Sequence, residues 1–426
     1  MRPYKDQRGV ALPLALMALV GLTGFLLVFV SMAGTDPAVS ANLNDTIRAR
    51  YIAESGIEWA FDQLVQGVAQ DPNGSFPTVV NNILATNSGL MASNMPLPDL
   101  TATFGIFSVT ARNDNLANDD QITGQPVDPG GAGTDTNSVV ILTATGTYNG
   151  VTRQIQQVVT HVDLNIPGGL NLPGLGTNTA FSGNAFTITG NDTNLDDTAG
   201  TCAPVWGIAV ADQVTERQVE SSLNAQQKDN VTGRRPSGGP GGSGDSTISR
   251  HSSLTPAQIA KFVNAMKPSA DITLQASAAS RLQYQNIGNT CAANLDDANC
   301  WGTRSNPKIV YLKGSLDPGQ AFYAMSISGT STGAGILIIE DGDLSITGNF
   351  RWEGPIIITG QYVGLRYGGG GYQTIYGGVV VNETAAVNSE VEVDAAGNAK
   401  VVYSCQALNN VRKRRRLYRL ASWREV

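Results

Sequence analysis

Residues Val10 to Val30 read VALPLALMALVGLTGFLLVFV, with no charged side chain among them. At about 1.5 Å per residue, a helix of that length reaches roughly 30 Å, the thickness of a bilayer's hydrocarbon core. Ahead of it, Met1 to Arg8 carries Arg2, Lys5 and Arg8 against one acid, Asp6. A basic flank stays in the cytoplasm, so the run predicts a single-pass membrane segment, Val10 to Val30, with the remainder of the chain outside. A cleaved secretory signal is the alternative, and Ser31-Met32-Ala33 offers a small-residue site. Such signals have apolar cores of about 7–15 residues, however, and this run is longer. The pattern also continues beyond it. Leu43, Ile47, Tyr51, Ile57, Phe61 and Leu64 recur at helical spacing, roughly on one face. Only Asp36-Pro37 interrupts, where a proline predicts a kink or a brief break.

The composition agrees with an extracytoplasmic, turn-rich chain. Of 426 residues 48 are glycine, and charged residues make up only 15%. That balance suits many short strands better than a helical cytosolic enzyme. A net charge of −7 argues against a general nucleic-acid binder, and no nucleic acid is expected as partner. The two histidines, His161 and His251, lie far apart and give a histidine metal site or a Ser-His-Asp arrangement little to work with. Four cysteines outside the membrane predict disulfides. Cys291 and Cys300 bracket a short polar loop and make the first pair; Cys202 and Cys405 are left to each other.

Further along, Leu100 to Arg112 alternates as a strand does, and Asp114 to Thr136 reads as a loop. Ser138–Gly146 and Val151–Val162 flank Tyr148-Asn149-Gly150; Asn-Gly between alternating runs is a strong hairpin signal. Pro167 to Leu175 (PGGLNLPGL) looks like a linker. Beyond it, apolar triplets such as Ile336-Leu337-Ile338, Leu344-Ser345-Ile346 and Ile356-Ile357-Ile358 are separated by Gly, Asn or Asp corners, and Thr374–Val381 supplies another run. Short strands at such intervals predict a sandwich, barrel or solenoid, and the Ser/Thr-Gly-Asn corners favour a β-helix-like stack. Thr255-Pro256-Ala257-Gln258 opens a helix with a capping box and runs to about Met266.

The expected fold class is therefore α+β: a long N-terminal helix, a small antiparallel sheet, then a β-helix-like or solenoid β-rich domain. The expected divisions are a cytoplasmic leader over 1–9, the helix over 10–68, and the antiparallel region over 69–165. A glycine-rich β domain follows over 166–405 with an insertion at 211–290, and then a basic tail over 406–426.

Several clusters invite a chemical reading. Asp192, Asn194, Asp196 and Asp197 share one stretch, and Asp296 and Asp297 lie inside the Cys291–Cys300 loop. Oxygen-rich loops suit calcium, but neither matches an EF-hand and Asx residues favour turns in any case. No cofactor is expected, and calcium is the ion these loops leave to consider. Asp341, Asp343 and Glu353 are candidates for paired carboxylates in a polysaccharide-cleaving site, on spacing alone. Gly368–Gly371 lacks the lysine and hydroxyl of a phosphate loop; Tyr367 and Tyr372 beside it read as an exposed tip or contact surface. Arg412-Lys413-Arg414-Arg415-Arg416 reads as a solvated run.

Two stretches carry a family resemblance. Gln7-Arg8-Gly9-Val10-Ala11-Leu12, the apolar run, and Ala49-Arg50-Tyr51-Ile52-Ala53-Glu54-Ser55-Gly56-Ile57-Glu58 resemble the N-terminal region of PilX-type pilus-assembly proteins, which are type IV pilin-like. The resemblance covers about the first 65 residues. It implies cleavage by a prepilin peptidase between Gly9 and Val10, N-methylation of Val10, and packing of the helix against other pilins and minor pilins. It also implies a bacterial inner-membrane location before assembly and a cell-surface pilus after it. Major pilins carry glutamate at the fifth mature position; here Leu14 stands there, which fits a minor member. The glycine-rich C-terminal half, with Tyr403-Ser404-Cys405 and Ser422-Trp423-Arg424-Glu425, is similar to the domain attached to some long PilX-like proteins. The expectation is a non-enzymatic minor pilin-like component with an exposed β domain for priming, tip or adhesive contacts. The alternative is a membrane-tethered β-helix glycan-binding protein or polysaccharide-degrading enzyme.

Overall fold

The computed structural model describes all residues except 1–10, 72–74, 98–103, 163, 175–176, 237–239, 242–246, 252–253, 278–280, 315–323, 386–390 and 414–416. The chain is mixed α+β and divides into two compact units. One comprises residues 1–62, 81–159 and 420–426, the other 63–80 and 160–419.

The first unit holds most of helix α1 (Ala11–Gln70) and an antiparallel sheet. The strands run in the order β1 (Leu90–Pro96), β2 (Ile106–Asn113), β3 (Val139–Tyr148), β4 (Val151–His161) and the C-terminal strand Tyr418–Glu425. Helix α1 continues through Asp36-Pro37, so of the kink or brief break that the sequence predicted there, the break does not occur. A proline forfeits its own N–H bond, and the bonds of the flanking turns carry the helix on. The hairpin joining β3 and β4 turns on Asn149 (φ 48°) and Gly150 (φ 80°), both left-handed as a type I′ turn requires.

Small residues set the depth at which α1 sits on this sheet. Ala49, Ala53 and Ala60 are fully buried on one helix face. A Cβ added at Gly146 of β3 would stand 2.2 Å from the Ala49 carbonyl oxygen and 2.4 Å from the Ala53 nitrogen, so helix and strand backbones nearly touch. A Cβ at Gly56 would press on the Phe107 ring and on Ala144. The Ala49–Gly56 stretch is thus a docking ridge, and Trp59 closes its end against Phe107 at 5.8 Å between ring centres. The apolar stripe of α1 divides accordingly. Ile57, Phe61 and Leu64 are buried, whereas Leu43, Ile47 and Tyr51 are exposed. Steps of four residues drift about 40° around a helix, and that drift carries the earlier members off the buried face.

The second unit is β-rich and its ladders are parallel. One register line passes Ile272, Val310, Leu337, Ile356, Val379, Leu170, Ile208 and Ile248 in consecutive pairs. Six of these eight side chains are at most 2% exposed. Each stabilises the fold by about 1.5–3 kcal/mol through burial. A second set of ladders pairs Thr330–Ala334, Asn349–Glu353, Gln373–Tyr376 and Ala399–Val402 in turn, and a third pairs Leu282–Gln285, Met325–Ser328, Leu344–Ile346, Leu365–Tyr367 and Val393–Ala396. Gly335, Gly354 and Gly377 stand over one another where the chain turns. A Cβ on Gly354 (φ 137°) would fall 2.0 Å from the Gly335 oxygen.

The order of that register line departs from the order of the chain. Positions rise from Ile272 to Val379 and then fall back to Leu170. The strand Gly168–Leu172 is therefore the neighbour of Val379–Glu383, and Thr179–Ser182 and Thr187–Thr189 likewise follow Val393–Ala396 and Ala399–Val402. The stretch that looked like a linker is a wholly buried strand. Its glycines are there for contact: a Cβ at Gly169 would meet the Thr189 oxygen at 2.8 Å. Residues 211–290, set apart in the sequence as an insertion, supply Val231–Arg234, Ile248–Arg250, Ile272–Gln275 and Leu282–Gln285 to the same parallel ladders. Between them lies the helix Pro256–Met266, capped by Thr255 and Gln258. The 406–426 stretch carries most of a helix, Cys405–Arg412, and the strand Tyr418–Glu425 in place of a plain tail. Entry and exit of this unit run side by side, the Val162 N–H donating to the Leu417 oxygen at 2.9 Å. The β-rich unit is thus inserted, in sequence, between β4 and the last strand of the antiparallel sheet.

Candidate functional site

The surface that stands out is the first part of α1. Leu12–Met32 has mean hydropathy 2.5 and no buried share, and it is long and apolar enough to cross a membrane. Leu14 lies within it, exposed like its neighbours. The one hydroxyl in its middle, Thr23, donates back to the Leu19 oxygen at 2.9 Å, which satisfies it inside the helix. Gly9 and Val10 lie outside the described residues. Beyond the span, Val39, Leu43, Ile47 and Tyr51 continue an exposed stripe. On a neighbouring turn Arg50 bonds Glu54 at 3.1 Å and stacks over Trp423 at 4.9 Å.

In the β-rich unit the acidic candidates are engaged. Glu353 accepts Arg304 Nε and Nη2 at 2.9 and 2.8 Å and Arg351 Nε at 3.0 Å. Burial pushes its carboxyl up, but the hydrogen bonds and charges of the two guanidiniums outweigh that and hold it below the usual range. A carboxyl kept ionised in this way supplies no proton. Arg351 also lies 4.3 Å over the Tyr376 ring, whose hydroxyl donates to Asp197. Gly288, Arg304, Arg351 and Glu353 line a cavity of about 390 Å³. Asp341 pairs with Lys313 and accepts the Gln361 N–H at 3.2 Å, while Asp343 is buried.

The other sequence candidates fall into structural roles. Cys291 is bonded to Cys300 and Cys202 to Cys405. Among the described residues, Asp192, Cys202 and Cys405 form the one group of potential metal ligands within reach of each other. Its sulfurs are bonded together, and both Asp192 oxygens accept backbone N–H groups, so it offers no ligand set. Asp196 accepts Thr198 N and Oγ1, and Asp297 accepts Asn299 N and Thr290 Oγ1, which is turn chemistry. Tyr372 is exposed, whereas Tyr367 is buried with its hydroxyl on the Lys400 oxygen at 3.0 Å, so the two share no loop tip. Tyr367 is held inside because the adjacent ladder strand leaves its ring in the core. His161 is packed between Phe76 and Tyr418, and burial lowers the pKa of His251 far from it in sequence. Arg412 bonds Asn409 at 3.3 Å; Arg414–Arg416 lie outside the described residues.

Sequence reading passed over the loop between β2 and β3, where Asp114, Asp128 and Asp135 are all buried. Four aspartates and an Asn-Asp pair at the end of a strand were the available signal.

No family model and no curated protein matches the sequence. Among solved structures, the chain is similar to the competence-associated pilin ComZ from Thermus thermophilus, at 14% identity and a TM-score of 0.27, over 90% of this chain and 97% of that one.

Proposed function

We propose that the chain is a non-enzymatic, minor pilin-like component of a type IV pilus or related assembly system. It sits in the bacterial inner membrane through α1 before incorporation, with the rest of the chain outside. Prepilin peptidase cuts between Gly9 and Val10, and other pilins then pack against the freed helix. The β-rich unit supplies priming, tip or adhesive contacts, and its parallel ladders are the rungs of a β-helix-like solenoid. One observation carries the reading. A single helix, Ala11–Gln70, presents a wholly exposed apolar first part and then docks through Ala49, Ala53 and Gly56 onto an antiparallel sheet. An anchor alone needs only the first part; the unbroken continuation suits a helix that leaves the membrane as one piece with its sheet. The resemblance of residues 7–58 to PilX-type proteins points the same way. Mass spectrometry of the mature N-terminus tests it. N-methylvaline at Val10 is expected; an intact Met1 or a start near Gly34 overturns the reading.

A further inference from the structure

The cavity beside Glu353 is lined by two guanidiniums, Arg304 and Arg351, and they are engaged to different degrees. Arg351 is fully committed. Its Nε donates to Glu353 at 3.0 Å, its Nη1 to the Tyr376 hydroxyl at 3.1 Å, and its Nη2 to the Leu195 oxygen. Arg304 is not. Its Nε and Nη2 grip the two Glu353 oxygens at 2.9 and 2.8 Å, which uses one side of the planar group. Among the described residues nothing bonds Nη1, and the side chain is 53% exposed. The end of the fork, Nη1 with the second proton of Nη2, is left for another acceptor. A guanidinium held on one side is pre-organised, because Glu353 has already removed rotamer freedom that a ligand would otherwise have to remove. A carboxylate matches the open end bidentately.

The charge balance agrees. With Glu353 held ionised, two guanidiniums against one carboxylate leave positive charge in excess on the lining. Asp196 also acts on the charge of Arg304, but it is exposed, bonded to Thr198 and screened by solvent. The rest of the wall says what the carboxylate is attached to. Thr303 and Thr332 contribute hydroxyls, and Gly288, Gly302 and Gly333 contribute bare main chain. Cys291 and Ala334 are its only apolar side chains. Such a wall offers partners to a polyhydroxylated ring and no slot for an apolar peptide side chain or a lipid tail. Its volume of about 390 Å³ is at the small end for ligand cavities and suits one ring. We propose that this cavity binds one uronic-acid residue of an acidic polysaccharide, its carboxylate on the open end of the Arg304 fork. The inference rests on the reading of the β-rich unit as adhesive and names what it adheres to.

The test is calorimetric titration of the full chain in detergent with trigalacturonate, its methyl ester and a tri-aspartate peptide. Trigalacturonate should bind, and the ester and the peptide should bind at least about tenfold more weakly. Arg304→Gln should weaken trigalacturonate by about 10- to 100-fold, the worth of a hydrogen bond to a charged group. Arg304→Lys keeps the charge without the fork and should weaken it too. Arg366→Gln, which removes an exposed arginine paired elsewhere with Asp394 at 3.4 Å, should bind as the unaltered chain does. No binding of trigalacturonate, or binding that Arg304→Gln retains, overturns the site. Equal binding of the ester overturns the carboxylate, equal binding of the peptide overturns the sugar, and unchanged binding by Arg304→Lys overturns the bidentate contact. If the Arg304 variants fail to fold, Thr332→Glu decides: an acid on this exposed part of the lining should abolish binding, and retention overturns the site. N-methylvaline at Val10 without trigalacturonate binding removes the site alone; binding by a chain with an intact Met1 removes the pilin reading alone.

Discussion

The carboxylate of Asp192 accepts the backbone N–H of Cys405, 213 positions downstream, at 2.9 Å. Its other oxygen accepts the N–H of Cys202 at the same distance, and Cys202 is bonded to Cys405. One side chain thus holds both half-cystines at the seam where the ladder strand Ala399–Val402 meets Thr187–Thr189. The seam is where spatial order and chain order part company, so no covalent backbone crosses it. The disulfide closes a separation of 203 residues, which in the chain-entropy account is worth about 5 kcal/mol. Asp192→Ala leaves that bond free to form and strips two N–H groups of their acceptor. At about 1–3 kcal/mol for each unsatisfied group, the variant should lose roughly 2–6 kcal/mol in urea unfolding. Non-reducing peptide mapping should still find Cys202 linked to Cys405. Stability unchanged within about 0.5 kcal/mol would show that water replaces the carboxylate.

Gly146 tests the docking of α1. Its missing Cβ is the space occupied by the Ala49 oxygen and the Ala53 nitrogen, and backbone atoms cannot step aside as a side-chain tip can. Gly146→Ala should therefore destabilise by about 1–3 kcal/mol, the usual cost of overpacking. Gly133→Ala, where an added Cβ meets nothing within 4 Å, should change stability by a few tenths at most. Paired denaturation curves of the two variants measure the difference.

How far the sequence discloses this molecule depends on whether a feature is periodic or positional. Helix α1 and the Asn149-Gly150 hairpin announce themselves, because hydrophobic period and left-handed turn residues are local signals. The short apolar runs around Ile336–Ile339 and Ile356–Ile358 are equally plain as strands. Their neighbours are not. Leu170 pairs with Val379, and no local pattern can say that the strand at residue 170 lies beside the one at residue 379. Gly168-Gly169 reads as linker because close backbone approach and flexibility select the same residue. Asp114 and Asp135 read as turn formers because burial, which makes them unusual, is a tertiary property.

Glu353 gives a pH dependence of known sign. In the unfolded chain its carboxyl titrates near 4.5; folded, Arg304 and Arg351 hold it lower. The folded state then binds fewer protons than the unfolded one over that interval. The contribution is present above about pH 4.5 and is lost as pH falls through the folded value. Glu353→Gln removes it. The variant should be less stable by about 1–2 kcal/mol at pH 7, at the modest end because both guanidiniums reach solvent. The gap between the two proteins should narrow below pH 4.5. A gap that widens on acidification would mean that burial, not the arginines, sets the state of this carboxyl.

The membrane reading of α1 rests on Leu12–Met32 being apolar on every side, and charge placed there tests it. Leu19 and Leu22 lie near its middle, and both are exposed. Replacing leucine by arginine at a bilayer centre swings the insertion free energy by about 3 kcal/mol per site, so Leu19→Arg with Leu22→Arg costs about 6 kcal/mol. The double variant should leave the membrane pellet after carbonate extraction. Leu43→Arg makes the contrast. Leu43 is as exposed as they are but lies beyond the span, so this variant should remain in the pellet. Because Leu43 belongs to the exposed stripe that continues toward Tyr51, the same variant should lose incorporation into any filament while keeping its anchor. Release of Leu43→Arg from the pellet would place the membrane contact further along the helix; retention of the arginine pair would remove the membrane from the account of Leu12–Met32 altogether.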